Sequence, residues 1–250
     1  ATIDDGSCEY DDNYSLSFDG EDDYVDVGGN DLFNFGTGDF TLEHWYKSDI
    51  TTGHFANSIR KYGGPNYYYD ITINHDNTGF PQFHFANGNG QDYYAIGSMR
   101  VDDNQWHHLS GVREGDTIKL YIDGQLSGTG SLPSGANSNN SGSVVIGAQG
   151  QNYQENNMDV VKIWNISLSQ EQIQSYMSTP PTGDETGLVG YWNFNAGEGD
   201  TLYDQSGNGN HGIVYGATWS TDVPTYGCTD PLATNYNPEA NWDDGSCTYI

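Results

Sequence analysis

The chain has 250 residues, of which 7 are Lys or Arg and 35 are Asp or Glu, so its formal net charge at pH 7 is -28. A surface this acidic repels phosphates and anionic lipid headgroups, which excludes nucleic acid and membrane surfaces as partners. An aromatic content of 14% supplies enough apolar area for a packed core, so disorder is not predicted. The acidity has three interpretations, namely a solubilising surface for salty water, a set of calcium ligands, or both, and we favour both.

The first ten residues, "ATIDDGSCEY", resemble the last ten, "NWDDGSCTYI". This repeat indicates a longer parent protein in which large domains alternate with short modules that carry the motif DDGSC. Residues 1–10 are then the tail end of a preceding DDGSC repeat. Cys8 has no partner near it in the sequence, so a partner elsewhere and a free thiol both remain open. If the parent is exported, its signal lies upstream.

Residues 11–225 contain many short runs in which apolar and polar residues alternate, separated by Gly, Asn, Asp and Pro. Such runs predict a β-sandwich or barrel rather than alternating strands and helices. In "TIKLYIDG", for example, Ile118, Leu120 and Ile122 share one face of a strand and Tyr121 lies on the other. The prediction for these strands is one buried face and one solvated face.

One helix is predicted, in the segment "SQEQIQSYM". Ser169 is placed to cap its first turn, and Gln172, three residues later, completes a capping box. Ile173 and Met177 lie four residues apart, so they share one side of this helix.

The C-terminal segment, residues 226–250, is predicted to be a separate Cys-bracketed module that begins near "STDVPTYGC". Cys228 and Cys247 predict one disulfide bridge. Because the enclosed loop buries little apolar surface, a bridge worth about 3 kcal/mol needs help from an ion or from the neighbouring domain. Tyr236 and Trp242 are the candidates for packing against that domain. A disulfide in a chain so poor in Lys indicates an extracellular or cell-surface location.

Several segments carry a resemblance to a known family. In order, they are "SLSFDGEDDYVDVG", "FTLEHWYKSD", "QWHHLSGVREGDTIKLYIDGQL", "MDVVKIWNISLSQEQIQ" and "GLVGYWNFNAGEGDTLYDQSGNGNHGIV". Together they resemble the LamG-like jelly-roll domains of the concanavalin A-like lectin/glucanase superfamily, over roughly residues 14–222. The tail resembles a short Cys-bracketed repeat of bacterial secreted and surface proteins.

The resemblance implies a fold that agrees with the strand pattern. We expect an all-β protein: a two-sheet antiparallel jelly-roll sandwich with one short helix, plus a small disulfide-linked C-terminal module. One sheet is expected to be concave and the other convex, with the first and last strands of the sandwich adjacent.

The superfamily contains enzymes, lectins and inert spacers, so the fold alone does not decide activity. Its glucanases carry the pattern E-x-D-x-E on one strand, where alternate carboxylates point into a cleft. Four segments of this chain begin that pattern and none completes it with a second Glu. The residues at that position are Asn13, Val25, Ile118 and Leu202. His107 and His108 are adjacent and face opposite ways, and the other histidines are scattered. The protein is therefore predicted not to be an enzyme, and a glycoside hydrolase is the less favoured alternative.

Clusters of oxygen-bearing side chains predict calcium, which takes six to eight hard oxygen ligands. A site shared between Asp19 and Asp204 would hold the two ends of the large domain together. The alternative is that these stretches are ordinary solvated turns. The candidate ligands are Asp19, Glu21, Asp22, Asp23, Asp204, Asn208 and Asn210 in the large domain, and Asp230, Asn235, Asn237, Asp243 and Asp244 in the module.

Glycan binding is suggested by tyrosines that lie beside Asn and Asp in two segments, "GGPNYYYD" and "NGNGQDYYA". Aromatic faces stack on sugar rings, while carboxylates and amides bind hydroxyls; packing of Tyr in strands is the competing explanation. In the first segment Tyr68 shares a face with Asp70 and the flanking tyrosines share the other. The candidate sugar-binding residues are Tyr67, Tyr69, Tyr93, Tyr94, Asn89 and Asp92. Five tryptophans are expected to pack in the core instead: Trp45, Trp106, Trp164, Trp192 and Trp219.

Two hypotheses follow. In the first, the chain is a calcium-stabilised, non-catalytic carbohydrate-recognising module of a large secreted or surface adhesin, with a glycan as its partner. In the second, it is a structural repeat unit of an extracellular fibre or stalk, which contacts neighbouring repeats or subunits and has no glycan ligand.

Overall fold

A computed structural model describes residues 13–49, 56–64, 67–73, 78–147 and 155–250. The predicted tail of a preceding repeat, with Cys8, lies outside the described residues. Across the described ranges, no helix combines the length and the apolar character needed to cross a lipid bilayer.

The described chain consists mainly of short strands. In chain order, the first ten are β1 (Ser15–Asp19), β2 (Tyr24–Gly28), β3 (Phe40–Lys47), β4 (Ala56–Tyr62), β5 (Tyr67–Ile73), β6 (Gln82–Asn87), β7 (Asp92–Ile96), β8 (His107–Glu114), β9 (Thr117–Ile122) and β10 (Gln125–Ser131). The others are β11 (Val144–Gly147), β12 (Glu155–Trp164), β13 (Leu188–Trp192), β14 (Thr201–Leu202), β15 (Gly212–Tyr215), β16 (Thr218–Ser220), β17 (Tyr226–Gly227) and β18 (Trp242–Asp243). A helix, α1, spans Gln170–Ser178, and a 3-10 turn spans Asp31–Phe33.

Two antiparallel sheets form a sandwich. Sheet A has the order β10-β9-β8-β3-β12-β1-β16, with β13 also paired to β12. Sheet B has the order β14-β15-β2-β11-β4-β5-β6-β7. The expected all-β jelly-roll sandwich is confirmed. The first and last strands of the sandwich are also adjacent, because β1 pairs with β16 so that Ser15 lies opposite Ser220.

The inner faces of both sheets form the main core, as the alternating pattern predicts. Ile118, Leu120 and Ile122 of β9 are at most 2% exposed and belong to this core. The tryptophan prediction is confirmed too, since four of the five are buried and Trp219 packs against the core from a half-buried position.

The outer face of sheet A is not solvated, which corrects the prediction of one wet face per strand. Tyr121, on the outer side of β9, is buried in a second apolar cluster with Trp45 and Trp164. Helix α1 covers part of this face with Ile173 and Met177, both at most 1% exposed. A second layer therefore lies outside the sandwich.

Helix α1 begins as its sequence predicts. The Ser169 side chain accepts a hydrogen bond from the backbone N–H of Gln172, whose own side chain accepts one from the Ser169 N–H. Two N–H groups at the end of the helix, which would otherwise lack partners, are satisfied in this way.

The C-terminal module completes the second layer. Its predicted disulfide between Cys228 and Cys247 is present, and β17 pairs in parallel with β18. Tyr226 and Trp242 place their rings 5.9 and 6.1 Å from the ring of Trp45. Trp242 therefore packs on the large domain as predicted.

Candidate functional site

The outer face of sheet B carries a row of polar and aromatic side chains across β4 to β7. Backbone register places Arg60 opposite Asp70, Asp70 opposite His84, and His84 opposite Tyr94. Residues directly opposite in antiparallel strands point to the same side of the sheet. A second row, displaced by two residues, places Tyr62 opposite Tyr68.

Arg60 joins the two rows through cation–π contacts. Its guanidinium carbon lies 4.3 Å from the centre of the Tyr62 ring and 5.2 Å from that of Tyr68. The same side chain lies 3.5 Å from the carboxylate of Asp70. Contacts with two rings and a carboxylate fix the planar guanidinium, and Tyr62 remains 38% exposed.

His84 lies between two carboxylates. Its Nδ1 atom is 3.5 Å from Asp70 and its Nε2 atom is 3.7 Å from Asp92. The imidazole stacks on Tyr94 with ring centres 4.3 Å apart, and it meets the Tyr68 ring edge-on at 4.7 Å. These residues form one connected unit, which we call the tyrosine–histidine cluster: Arg60, Tyr62, Tyr68, Asp70, His84, Asp92 and Tyr94.

Asp70 anchors the cluster from below. The side chain is 1% exposed, and its Oδ1 atom accepts a hydrogen bond of 2.6 Å from the Thr72 hydroxyl. Burial raises the pKa of the Asp70 carboxyl, but His84, Arg60 and Thr72 outweigh it, so the net shift is downward. The carboxylate therefore stays charged and holds the Arg60 guanidinium and the His84 ring in place.

Tyr68 presents a fixed, neutral ring at the surface of the cluster. Its hydroxyl donates a 2.9 Å hydrogen bond to Asp92. Burial, followed by the hydrogen bond to Asp92, raises the pKa of the Tyr68 phenol. The ring cannot rotate freely, so its face is preorganised for a planar or apolar ligand surface.

A group of three carboxylates lies elsewhere, in the loop between β1 and β2. Oxygen atoms of Asp19, Asp22 and Asp23 all lie within 4.8 Å of one another. Asp23 is 5% exposed and accepts a 2.9 Å hydrogen bond from the Asp19 N–H. Burial raises the pKa of the Asp23 carboxyl, and repulsion from Asp19 and Asp22 adds to that shift. Within the described ranges, no other His, Cys, Asp or Glu side chains form a group of three at this spacing.

A family model described as the concanavalin A-like lectin/glucanases superfamily matches residues 19–174, which is more than half of the chain. The chain belongs to this superfamily. The resemblance inferred from the sequence motifs is therefore confirmed for the large domain.

Solved structures share the superfamily fold with this chain. A candidate carbohydrate-binding protein from Bacteroides ovatus is 18% identical, with a TM-score of 0.66 over 84% of this chain and 60% of that one. The binding domain of Paraclostridial Mosquitocidal Protein 1 is 15% identical, with a TM-score of 0.52 over 68% of this chain and 47% of that one. The binding domain of Botulinum Neurotoxin DC, solved in complex with SialylT, is 17% identical, with a TM-score of 0.53 over 68% and 43%. The chain thus spans at most 60% of the length of these proteins. No curated protein matches it by sequence.

The predicted sugar-binding tyrosines divide between the inner and outer faces of sheet B. Tyr94 and Asp92 belong to the tyrosine–histidine cluster. The prediction for Tyr69 is wrong, because the side chain is 1% exposed in the main core and its hydroxyl donates to the backbone oxygen of Phe33. Tyr67 is 43% exposed but lies on the Tyr69 side of β5.

Tyr93 and Asn89 lie away from the cluster. The Tyr93 ring packs against the main core, and its hydroxyl donates to Gln91 and accepts from the Asn89 amide. Sequence reasoning missed five members of the cluster. They are Arg60, Tyr62, Tyr68, Asp70 and His84. The signal available in the sequence is the alternation that puts Tyr68 and Asp70 on one face.

The predicted calcium ligands between residues 204 and 210 make hydrogen bonds to backbone groups instead. Asp204 is 7% exposed, and its carboxylate accepts hydrogen bonds from the N–H groups of Tyr191, Ser206 and Asn210, at 3.0, 2.9 and 2.8 Å. The Asn208 and Asn210 amides donate to the backbone oxygen of Val189. Asp204 is not part of the group formed by Asp19, Asp22 and Asp23, so the structure does not assemble the predicted shared site.

The polar residues of the C-terminal module also make local contacts. Each predicted ligand oxygen accepts a backbone N–H from a nearby residue: Asp230 from Leu232, Asn235 from Thr248, Asn237 from Glu239, Asp243 from Gly245, and Asp244 from Ser246. Asp230 also accepts from the Tyr249 hydroxyl at 2.6 Å. These bonds account for the turns of the module. Glu21, in the large domain, donates its N–H to Asp19 and lies outside the group of three.

Three buried ionisable side chains under the second layer are sealed from solvent. Glu43, His108 and Lys162 are all 0% exposed. One Glu43 oxygen accepts a 2.7 Å hydrogen bond from the Trp164 indole, and the other lies 3.6 Å from His108. Burial raises the pKa of Glu43 and lowers the pKa values of His108 and Lys162. All three side chains are closed to solvent in this structure.

Proposed function

We propose that the chain is a non-catalytic carbohydrate-binding module and that the tyrosine–histidine cluster is its binding surface. The observation that carries the proposal is the fixed pair of rings, Tyr62 and Tyr68, whose centres lie 6.0 Å apart beside charged hydrogen-bonding groups. Sugar rings have one apolar face and a rim of hydroxyls, so they match an aromatic surface bordered by carboxylates and a guanidinium.

The structural neighbours support this proposal at the level of the superfamily. One is a candidate carbohydrate-binding protein, and another was solved with SialylT bound to a toxin binding domain. The net charge of -28 favours neutral glycans over sulfated or uronic ones, because a polyanion would meet long-range repulsion.

The proposed module is non-catalytic because both carboxylates of the cluster already have hydrogen-bonding partners. Asp70 is buried and paired, and Asp92 already accepts hydrogen bonds from Tyr68 and Tyr94. A glycosidase needs one carboxyl group to deliver a proton and another to attack or activate water. We infer that these two groups position tyrosines instead.

Calcium belongs to the proposal as a stabilising ion at Asp19, Asp22 and Asp23. Carboxylates at this spacing repel one another, and a divalent cation among hard oxygen ligands would relieve the repulsion. The ion would strengthen the loop that leads into β2.

The proposed setting is extracellular. The Cys228–Cys247 disulfide supports an oxidising compartment, as for a domain of a secreted or surface adhesin that contacts neighbouring repeats. The alternative, a structural repeat unit without a glycan ligand, is tested by the binding experiment below.

A glycan array followed by calorimetry on the strongest ligand tests the proposal. Tyr62→Ala and Tyr68→Ala should each weaken binding at least about fivefold, since each removes a stacking face worth on the order of 1 kcal/mol or more. Tyr236→Ala is the matched control, because Tyr236 is also 43% exposed but lies in the C-terminal module. Binding to no glycan, or equal loss in all three variants, would contradict the proposal and favour the structural repeat.

A further inference from the structure

A second aromatic surface lies on sheet B, outside the tyrosine–histidine cluster. Tyr24 of β2 and Tyr215 of β15 stack with ring centres 4.7 Å apart and planes inclined by 20°. Tyr215 is 43% exposed and its neighbour Ile213 is 52% exposed. This pair is called the tyrosine pair below.

The tyrosine pair and the cluster lie on the same side of sheet B. Val145 of β11 is opposite Asp26 on one side and opposite Arg60 on the other, so these three side chains share a face. Tyr24 is two residues from Asp26, and Tyr215 is opposite Tyr24. The main core is on the reverse face, where Val25 and Val214 point inward.

The tyrosine pair borders carboxylates, as the cluster does. Tyr24 directly follows Asp23, one of the three grouped carboxylates. Gly216, which directly follows Tyr215, lies so close to the Asp23 carboxylate that an added Cβ would overlap it. Asp23 is buried, but the carboxylates of Asp19 and Asp22 grouped with it are exposed, so both surfaces combine an exposed aromatic ring with nearby acceptors for sugar hydroxyls.

The distance between the two surfaces follows from the sheet geometry. β2 and β4 are separated only by β11, which is roughly 10 Å at two strand spacings. Tyr24 is opposite Gly147 and Tyr62 lies four residues away along the strand direction, which adds an offset of roughly 13 Å. The separation of about 16 Å exceeds the width of one sugar ring and suits an extended chain of several sugars.

We propose that the ligand is an extended, neutral oligosaccharide or polysaccharide that lies diagonally across sheet B, with one sugar on the cluster and another on the tyrosine pair. This inference rests on the proposed function and specifies the class of its ligand. A terminal mono- or disaccharide would use the cluster alone, whereas a chain gains from both surfaces because the second contact is intramolecular.

The test is a chain-length series, with the neutral cello-, laminari-, xylo- and manno-oligosaccharides from mono- to hexasaccharide as probes. Wild-type affinity should rise steeply between the disaccharide and the hexasaccharide of the bound series. Tyr215→Ala should lower hexasaccharide affinity about tenfold while disaccharide affinity, which reports an intact cluster, stays unchanged. Tyr215→Phe keeps the ring and should bind like wild type.

The outcomes separate this inference from the proposed function. If disaccharide and hexasaccharide bind equally and Tyr215→Ala has no effect, the extended-chain inference fails while binding at the cluster stands. If Tyr62→Ala is also without effect on a ligand that binds, the proposed site fails as well. If no glycan of any series binds, both fail together.

Discussion

Substitution of Asp204 is the strongest test of how the strands near the C-terminal end of the sandwich are held. Its carboxylate accepts three backbone N–H groups, from Tyr191, Ser206 and Asn210, at 2.8 to 3.0 Å. Tyr191 belongs to β13, whereas the other two belong to the loop that follows β14. One side chain therefore satisfies donors from both segments.

The expected loss in the free energy of unfolding follows from those three donors. A buried donor left without a partner costs roughly 1–3 kcal/mol, so the loss of an acceptor for three donors in Asp204→Ala should lower the free energy of unfolding by on the order of 3–9 kcal/mol. Asp204→Asn keeps one oxygen and should cost roughly half as much. Since whole domains are stable by about 5–15 kcal/mol, the alanine variant approaches the unfolding threshold and the asparagine variant does not.

Urea unfolding followed by tryptophan fluorescence measures the difference, with Asp244→Asn as the control. Asp244 accepts the Ser246 N–H in an exposed turn, so its substitution should change little. A loss below about 1 kcal/mol for Asp204→Ala would refute the reasoning. If EGTA destabilises wild-type protein but has no effect on Asp204→Ala, Asp204 acts as an ion ligand rather than as a backbone acceptor.

Three further predictions concern other parts of the molecule. EGTA should lower the Tm of wild-type protein, and Asp22→Asn should remove that effect, because an ion bound only by the folded state stabilises it; an unchanged Tm refutes the calcium proposal. Trp242→Ala should increase the proteolysis of the C-terminal module and leave the Tm of the sandwich nearly unchanged, since it removes one ring packed on Trp45; equal resistance to protease would contradict this. For His107, burial lowers the pKa but Asp123 and Asp103 outweigh it, so the net shift is upward. Folding favours the protonated form of His107, so protonated His107 stabilises the folded state. This contribution is fully present below the unfolded pKa near 6.5 and is lost as the pH rises through the folded pKa. Unfolding free energies between pH 6 and 9 should therefore decline less for His107→Gln than for wild type, and parallel curves would contradict the assignment.

The strand pattern predicts which residues alternate but not always which face is buried. In β9 the choice is simple, because Ile118 and Leu120 are aliphatic and their neighbours are not. In "YYYD" both faces carry tyrosine, and only pairing with Arg60 on one side and His84 on the other puts Asp70 and Tyr68 outward. The sequence therefore predicts the sheet but not the members of the tyrosine–histidine cluster.

Two other features also depend on residues that are far apart in the sequence. They are the burial of outer-face residues under the second layer and the choice between a calcium ion and backbone N–H groups as the partner of a side-chain oxygen. Tyr121 appears solvated in an alternating strand, yet the layer that contains helix α1 buries it. The oxygens of Asp204 and Asn208 suit calcium as well as they suit backbone N–H groups. One donor to Asp204, the Tyr191 N–H, and the Val189 carbonyl that Asn208 contacts both belong to β13, 13 and 19 residues away in the sequence, so local composition cannot distinguish these roles.

A crystal structure with the best oligosaccharide from the array bound tests the central claim most directly. The account predicts a sugar ring stacked on Tyr62 or Tyr68, with its hydroxyls in contact with Asp92 or Arg60. A glycan bound on any other surface, with both of these tyrosine rings free of contact, would contradict it.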